Sequence, residues 1–300
     1  MIDAFAASVV DAVDSVPAVV HRVLHGESLA RASDPVTTFV HYCVGFAARY
    51  ALFCGGAFFV FHRLRLWRHF KIQQADPSAK MVRHEILWSA SNTLCTGLFS
   101  MLLAWLIADG RTAMYADVDD HGWPWFVASV ALGTLGFDTW FYWQHRALHT
   151  PWLFRHVHAI HHRPTNPTAF AGFAHHPVET FAEDLYFLLF VLVVPIHPVA
   201  FGLVGLHAFT LAILGHMGFE FFPRGFTAHP LFGLHNTATH HNMHHSHVGG
   251  NYSLYFNVWD RLMGTNHPDY HRVFAATKDA QAAARDVSVD RAAGPGSQAT

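Results

Sequence analysis

The sequence predicts an all-α, multi-pass membrane bundle of four or five membrane helices, with a cytosolic helical cap carrying clustered histidines. Three observations lead there. Apolar residues make up 52% of the 300-residue chain and charged residues only 13%, against roughly 25% charged in an ordinary soluble domain, too few to cover a globular surface. Several runs lack Asp, Glu, Lys and Arg over the length of a bilayer. Histidine, at 27 residues, outnumbers Lys and Arg together at 19.

Residues 1–35 come first. MIDAFAASVVDAVDSV is apolar but carries Asp3, Asp11 and Asp14 and no early Lys or Arg. That is the wrong charge pattern for a cleaved signal peptide and suits a helix at the membrane interface. A single integral-membrane domain is expected over residues 36–276. Val36 to Phe61 is a first span, interrupted only by Arg49. Ile86 to Ala108 is a second, 23 residues without a charge, or about 34 Å of helix against a hydrocarbon core of ~30 Å. Gly122 to Trp143 is a third, with Asp138 near its end. Leu185 to Phe219 is too long for one span, and Pro195-Ile-His-Pro198 breaks it, so it reads as a hairpin of two short helices. Arg49 and Asp138 are costly inside a membrane and are functional candidates for that reason. Residues 277–300, rich in Ala, Asp and Gly, read as a flexible tail or loose helix.

Loop charge sets the orientation. The linker from His62 to Glu85 holds Arg63, Arg65, Arg68, Lys71, Lys80 and Arg83, whereas the next, near Asp109 to His121, holds only Arg111 beside four acids. The basic side is cytoplasmic, and Arg146, Arg155 and Arg163 put the histidine clusters there too. Cys43, Cys54 and Cys95 are odd in number and form no CxxC pair, so disulfides and cysteine metal sites are not expected. With 19 basic and 21 acidic residues the chain has no basic face for nucleic acid.

Twenty histidines fall between His145 and His271. His145-Arg-Ala-Leu-His149 is one cluster, His158-Ala-Ile-His161-His162 a second, His241-Asn-Met-His244-His245 a third. Residues i, i+3 and i+4 share a helix face, so each cluster aims two or three imidazoles in one direction. Eight ring donors exceed what one tetrahedral site can use and could serve two metals. Imidazole suits Zn, Cu, Fe and Ni; chemistry with dioxygen selects iron, and the residues alone leave zinc open. Asp138 and Glu179 are candidates to hydrogen-bond the far ring nitrogens. His41, His197 and His207 read as core or interface residues. His156, His175, His235, His240 and His247 lie close, but their spacing assigns no role. Phe141, Tyr142 and Trp143 are candidate lining for a lipid pocket.

The run Asp138-Thr-Trp-Phe-Tyr-Trp-Gln-His145 through His149, the two HxxHH clusters, Asn166-Pro-Thr, His176-Pro-Val-Glu179 and Trp259-Asp-Arg-Leu-Met-Gly-Thr265 together resemble the fatty acid hydroxylase/sterol desaturase superfamily over roughly residues 86–268, with the C5-sterol desaturase (lathosterol oxidase) branch nearest. The resemblance implies a membrane di-iron oxygenase that uses O2 to hydroxylate or desaturate a lipid C–H bond. By it, His145, His149, His158, His161, His162, His241, His244 and His245 are metal ligands. His216, in Leu-Gly-His-Met-Gly, matches a further ligand from the membrane hairpin, and His176 matches a family histidine. The branch usually has His-Asp-Gly where this chain has His216-Met217-Gly218.

No glycine-rich dinucleotide fingerprint, P-loop or cysteine cluster is present, so no nucleotide cofactor is expected and electrons come from a separate ferredoxin, cytochrome or reductase. The rival readings are a zinc-dependent membrane hydrolase and a non-enzymatic haem- or metal-binding membrane protein. HExxH is missing, since His84-Glu85 is followed by Ile-Leu-Trp. Bis-histidine haem needs one ring from each of two helices rather than adjacent pairs. The high alanine content points to a bacterial inner membrane.

Overall fold

The computed structural model describes residues 35–293; the interfacial segment expected before Pro35 lies outside the described residues. Among those residues the chain is helical, with three isolated β-bridges and no strand. Helix α1 (Pro35–Tyr50) continues through two π-turns, Ala51–Gly55 and Phe59–Arg63. It packs on α2 (Ala79–Ala108), whose N-cap Ser78 accepts from Met81 N. Gly97 permits that contact, since a Cβ there would lie 2.7 Å from Cys43 Sγ and 2.8 Å from Phe39 Cε2; small residues let membrane helices approach closely.

Helix α3 (Gly122–Leu148) runs past the expected end at Trp143 and carries His145 at its C-terminal end. A short α4 (Pro151–His156) starts at proline, which suits a first helical position. Helices α5 (Pro177–Val193) and α6 (Pro198–His216) make the hairpin around Pro195. Each starts at proline and is capped by the preceding histidine: His176 Nδ1 accepts from Val178 N, His197 Nδ1 from Val199 N. Among the described residues three helices are long and apolar enough to cross a membrane: Pro35–Arg63, Ala79–Ala108 and Pro198–His216. The third and fourth spans expected from hydropathy correspond to α3 and α5. At 17 residues, α5 is about 25 Å long, short of a ~30 Å core.

The remaining helices form the cap: α7 (Ala238–Ser246), α8 (Val258–Leu262) and α9 (Tyr270–Ala293). Residues 277–293, expected as a flexible tail or loose helix, lie in α9, whose Gln281 donates to Phe70 O and Glu220 O at 3.0 and 3.2 Å. Cap and bundle are joined where Ile72 N donates to Gly218 O and Glu220 N to Phe70 O, each at 2.9 Å. Gly218 has φ +76°, a conformation that favours glycine. Beneath this joint Phe46, Phe170, Phe209, Ile213, Met217 and Phe219 pack in one buried cluster. Buried Glu85 accepts from Thr168 N at 3.2 Å and from the Thr168 hydroxyl. Ser89 Oγ donates to Phe170 O at 3.0 Å, so α2 fixes the 168–173 turn against α6.

Candidate metal centre

The first histidine pair sits at the end of α3, with His145 in the last helical turn and His149 at the cap. The second cluster lies on one 3₁₀ turn, His158–Ile160, and the residues after it. At three residues per turn, i and i+3 eclipse, so His158 and His161 point the same way without an α-helix. The third lies on α7, where His241, His244 and His245 share a face. Thr237 Oγ1 accepts from His240 N, and Glu220 Oε2 accepts from Thr239 N and Oγ1 at 2.8 Å each, anchoring the start of that helix.

These rings converge in two adjoining groups. His145, His149, His158, His162 and His244 form one; His161, His216, His241 and His245 form the other. Within each, one ligand atom per residue lies inside 4.8 Å of all the rest. All are buried except half-buried His149. His162 and His245 stack at the junction, ring centroids 4.8 Å apart. All eight box histidines and His216 are thus brought together.

Their tautomers bear on whether a metal fits. His145 Nδ1 faces Tyr252 O, His244 Nδ1 faces Gly250 O and His216 Nδ1 faces Ala212 O, each at 2.7 Å; His158 Nδ1 faces Glu179 Oε1 at 2.8 Å. Carbonyl and carboxylate oxygens only accept, so each Nδ1 carries the hydrogen and each neutral ring turns a bare Nε2 inward. His145 Nε2 and His158 Nε2 then meet at 3.0 Å as two acceptors. His216 Nε2 lies 2.8 Å from His241 Nε2 and 3.2 Å from His161 Nε2. Both nitrogens of buried His162 lack any hydrogen-bond partner. Protons do not resolve this crowding. Burial, then neighbouring imidazoles, hold His145, His158, His161, His162, His241 and His245 well below the ordinary histidine range. Burial brings His149 down to about 3 and His244 to about 4. Neutral imidazoles with converging lone pairs are what a divalent cation requires, and the donor set fits two metals.

The carboxylates divide differently from expectation. Glu179 lies against His158, as given above, and its Oε2 is buried without a partner. Asp138 does not reach a ring: its Oδ1 accepts from Tyr255 N at 2.7 Å and Phe256 N at 3.4 Å, fixing the loop that offers Tyr252 O to His145. It lies too far up α3, on a face turned to that loop. His176 is not in either group; it caps α5, and its ring lies 6.1 Å from Trp88. The neighbouring His175 enters instead, grouped with His161 and Glu179, its Nδ1 3.3 Å from Glu183 Oε2. Burial pulls His175 down, but Glu183 and Glu179 outweigh it and raise the imidazole to about 9. His240 faces away, its Nε2 3.6 Å from Asp260.

Two supporting acids went unread in the sequence. Asp260 accepts from Tyr252 N and Ser253 N at 2.9 Å each and from Thr265 Oγ1 at 2.7 Å. Glu220, the first acid after the uncharged run of residues 185–219, carried a signal in that isolation; Asp260 carried none beyond its place in Trp259-Asp-Arg.

A cavity of about 350 Å³ opens on the inner ends of both groups. His145, His158, His161, His216 and His241 close one end, and Phe46, Phe99, Phe137, Phe173, Phe187 and Phe209 line its walls. Of the expected lining residues only Phe141 reaches it. Tyr142 is buried with Oη 3.0 Å from Thr265 Oγ1, and Trp143 is exposed.

Residues 130–265 match the family described as fatty acid hydroxylase. Rat lathosterol oxidase is 33% identical over 192 residues, 62% of each chain. A Delta(7)-sterol 5(6)-desaturase of Gibberella zeae is 31% identical over 159 residues, 52% of this chain and 47% of the relative. Human lathosterol oxidase is 27% identical over 186 residues, 61% and 60%. The chain thus spans less than two thirds of each of these relatives. No solved structure matches. The matched segment begins inside α3 and holds all three histidine clusters.

Proposed function

We propose that this protein belongs to the fatty acid hydroxylase/sterol desaturase superfamily and is an O2-dependent, di-iron membrane oxidoreductase that hydroxylates or desaturates a C–H bond of a lipid. One observation carries the reading: nine histidines from the bundle and the cap converge as adjoining groups of five and four at the closed end of an apolar cavity. The names of the sterol-oxidising relatives support it. Iron held by His145, His149, His158, His162 and His244 on one side, and His161, His216, His241 and His245 on the other, would supply dioxygen reduction and the oxidising power to remove hydrogen from an unactivated carbon.

The remaining work falls to the chain. Phe137, Phe141 and Phe187 bind the apolar body of the lipid and keep water from the reacting carbon. Glu179 Oε1, Tyr252 O, Gly250 O and Ala212 O each hold a proton on a ligand Nδ1, fixing the tautomer that turns Nε2 inward. Hydroxylation and desaturation begin with the same hydrogen removal, so either alcohol or alkene is the product. Electrons come from a separate ferredoxin, cytochrome or reductase. The basic 62–85 linker supports a cytoplasmic face for the histidines, and the alanine-rich composition suits a bacterial inner membrane.

Purified protein should contain about two irons per chain, and lipid mass spectrometry of cells with and without the gene should reveal a lipid that gains one oxygen or loses two hydrogens. His161→Ala and His244→Ala should each abolish that change. Full turnover in either variant refutes the role given to that ring.

A further inference from the structure

The cap carries a row of large apolar side chains that the described residues leave uncovered. Leu231 and Phe232 are 72% and 60% exposed, and Leu262, at the end of α8, is 70% exposed. The row is built as one piece. Gly233 O accepts from Asn257 Nδ2 at 3.0 Å and from Arg261 Nη2 at 2.6 Å, and Leu234 O accepts from Asn257 N at 2.8 Å, so α8 is stitched to the 231–234 turn. Trp259 fastens α8 to α3: its Nε1 donates to Thr139 Oγ1 at 3.1 Å, and its ring lies 5.5 Å from that of Trp143.

That attachment sets the level of the row. Leu132, Leu135, Thr139 and Trp143 share one face of α3 by their spacing of three and four residues, and Leu132, Leu135 and Trp143 are exposed along it. Trp143 lies about 31 Å along α3 from Gly122, where a hydrocarbon core of ~30 Å ends and where tryptophan is enriched. Helix α8 therefore stands beside the edge of the bilayer, and its apolar row continues the exposed stripe of α3.

Charge names the occupant. Between Glu220 and Asp260, both buried, the sequence has no Asp or Glu. Next to the row lies a groove of about 450 Å³ lined by Arg224, His229, Arg261 and His271. His229 Nδ1 accepts from Leu231 N at 3.2 Å and from Phe232 N at 3.1 Å, so Nε2 carries the ring hydrogen and donates. Arg224 pairs with Asp279 and Arg261 with Gly233 O, and each guanidinium has further N–H groups to give. A second copy of the chain docked through the same face would set these cations against each other. A phospholipid leaflet brings acyl chains to the row and phosphate to the groove together.

We propose that the 221–234 loop and α8 form a collar seated in the leaflet on the histidine side of the membrane. Leu231, Phe232 and Leu262 lie among the acyl chains, and Arg224, His229 and Arg261 hold the phosphate of an anionic phospholipid. The collar ties the cap, which supplies His241, His244 and His245 from α7, to the same leaflet as the bundle that supplies His145 and His216. It stands on the membrane fold and is independent of the oxygenase reading.

The test uses the full chain in nanodiscs of mixed phosphatidylglycerol and phosphatidylcholine. Nitroxide labels are placed on Leu231→Cys, on Leu262→Cys and, for reference, on Arg155→Cys in α4, in a chain whose Cys43, Cys54 and Cys95 are alanine. Collision with O2, which concentrates in the bilayer, against a water-soluble nickel chelate reads the depth of each label. Labels at 231 and 262 should favour O2, and the label at 155 the chelate. A second measurement needs no cysteine change. Native mass spectrometry of the unaltered chain, offered equal amounts of the two lipids in detergent, should find phosphatidylglycerol retained about tenfold over phosphatidylcholine. Arg224→Gln with Arg261→Gln should erase that preference at unchanged metal content, which also shows that the variant folds. Labels at 231 and 262 as open to the chelate as the label at 155, equal retention of the two lipids, or a preference that survives the double substitution overturns the assignment. Spin–spin broadening between labels at 231 also overturns it, and gives the face to a second copy.

Discussion

Glu179 Oε1 accepts a hydrogen bond from His158 Nδ1 at 2.8 Å, with both side chains within a few per cent of full burial. The contact ties α5 to the second histidine cluster and sets which nitrogen of His158 faces the metal. Removing such an outer partner costs typically 10–100-fold in metal affinity. Glu179→Ala should therefore weaken binding in the five-histidine group by about that factor, measured by competition with a chelator. Glu179→Gln, whose carbonyl still accepts, should lose less. An affinity unchanged in both would mean that the ring is oriented by packing alone.

His176 and His175 should part company on substitution. His176 accepts from Val178 N at the start of α5, and loss of a cap costs about 1 kcal/mol. His176→Ala should lower the thermal midpoint modestly and leave two metals bound. Metal loss in this variant, at unchanged fold, would show that the ring swings inward in solution.

Those neighbours also mark how far the sequence could be read. His145, His149, His158, His161, His162, His241, His244 and His245 were legible because i, i+3 and i+4 spacing aims rings together whether the turn is α or 3₁₀. His216 was reached through family resemblance alone, because one imidazole at a helix end has no periodicity. The difference between His175 and His176 was not legible: the two are adjacent, and the β-region backbone of His176 that turns one ring to α5 and the other inward is set by Pro177 and by the packing of the 168–173 turn. Asp138 was misplaced for a related reason. Chain proximity to His145 suggested contact, whereas the side-chain direction on α3 sends it to Tyr255. The hydrophobic runs predicted the hairpin correctly, since Pro195 and Pro198 remove helix donors. They could not predict that α3 would extend into the cap.

Asp138 offers a test of that loop. Its Oδ1 receives the buried Tyr255 N–H at 2.7 Å, and stranding a buried donor costs about 1–3 kcal/mol. Asp138→Ala should destabilise the protein by that amount, and by loosening residues 252–256 should weaken the His145 Nδ1 contact to Tyr252 O. Asp138→Asn keeps an acceptor and should fall between. Thermal unfolding with and without metal separates the two effects: the variant should show a larger deficit in the metal-bound protein. Equal deficits would confine Asp138 to folding.

Gly172 reaches the metal centre by a longer lever. A Cβ at this position would lie 2.8 Å from Ala212 O and 3.1 Å from Ala212 C. Main-chain atoms in the last turns of α6 cannot retreat as a flexible side chain would, so overpacking should cost about 1–3 kcal/mol. The same carbonyl receives His216 Nδ1–H at 2.7 Å, so displacing it turns the His216 ring away from His161 and His241. Gly172→Ala should therefore weaken metal binding in the four-histidine group more than in the five-histidine group. Gly215→Ala is the control. Its Cβ would meet His241 at 3.8 Å, an ordinary contact, and an alanine in α6 should gain up to about 1 kcal/mol of helix stability. Stepwise metal titration of the two variants, followed by unfolding, distinguishes the outcomes. Loss of one metal in Gly172→Ala with both retained in Gly215→Ala is expected, and equal metal content in both would mean that His216 holds its place without the Ala212 carbonyl.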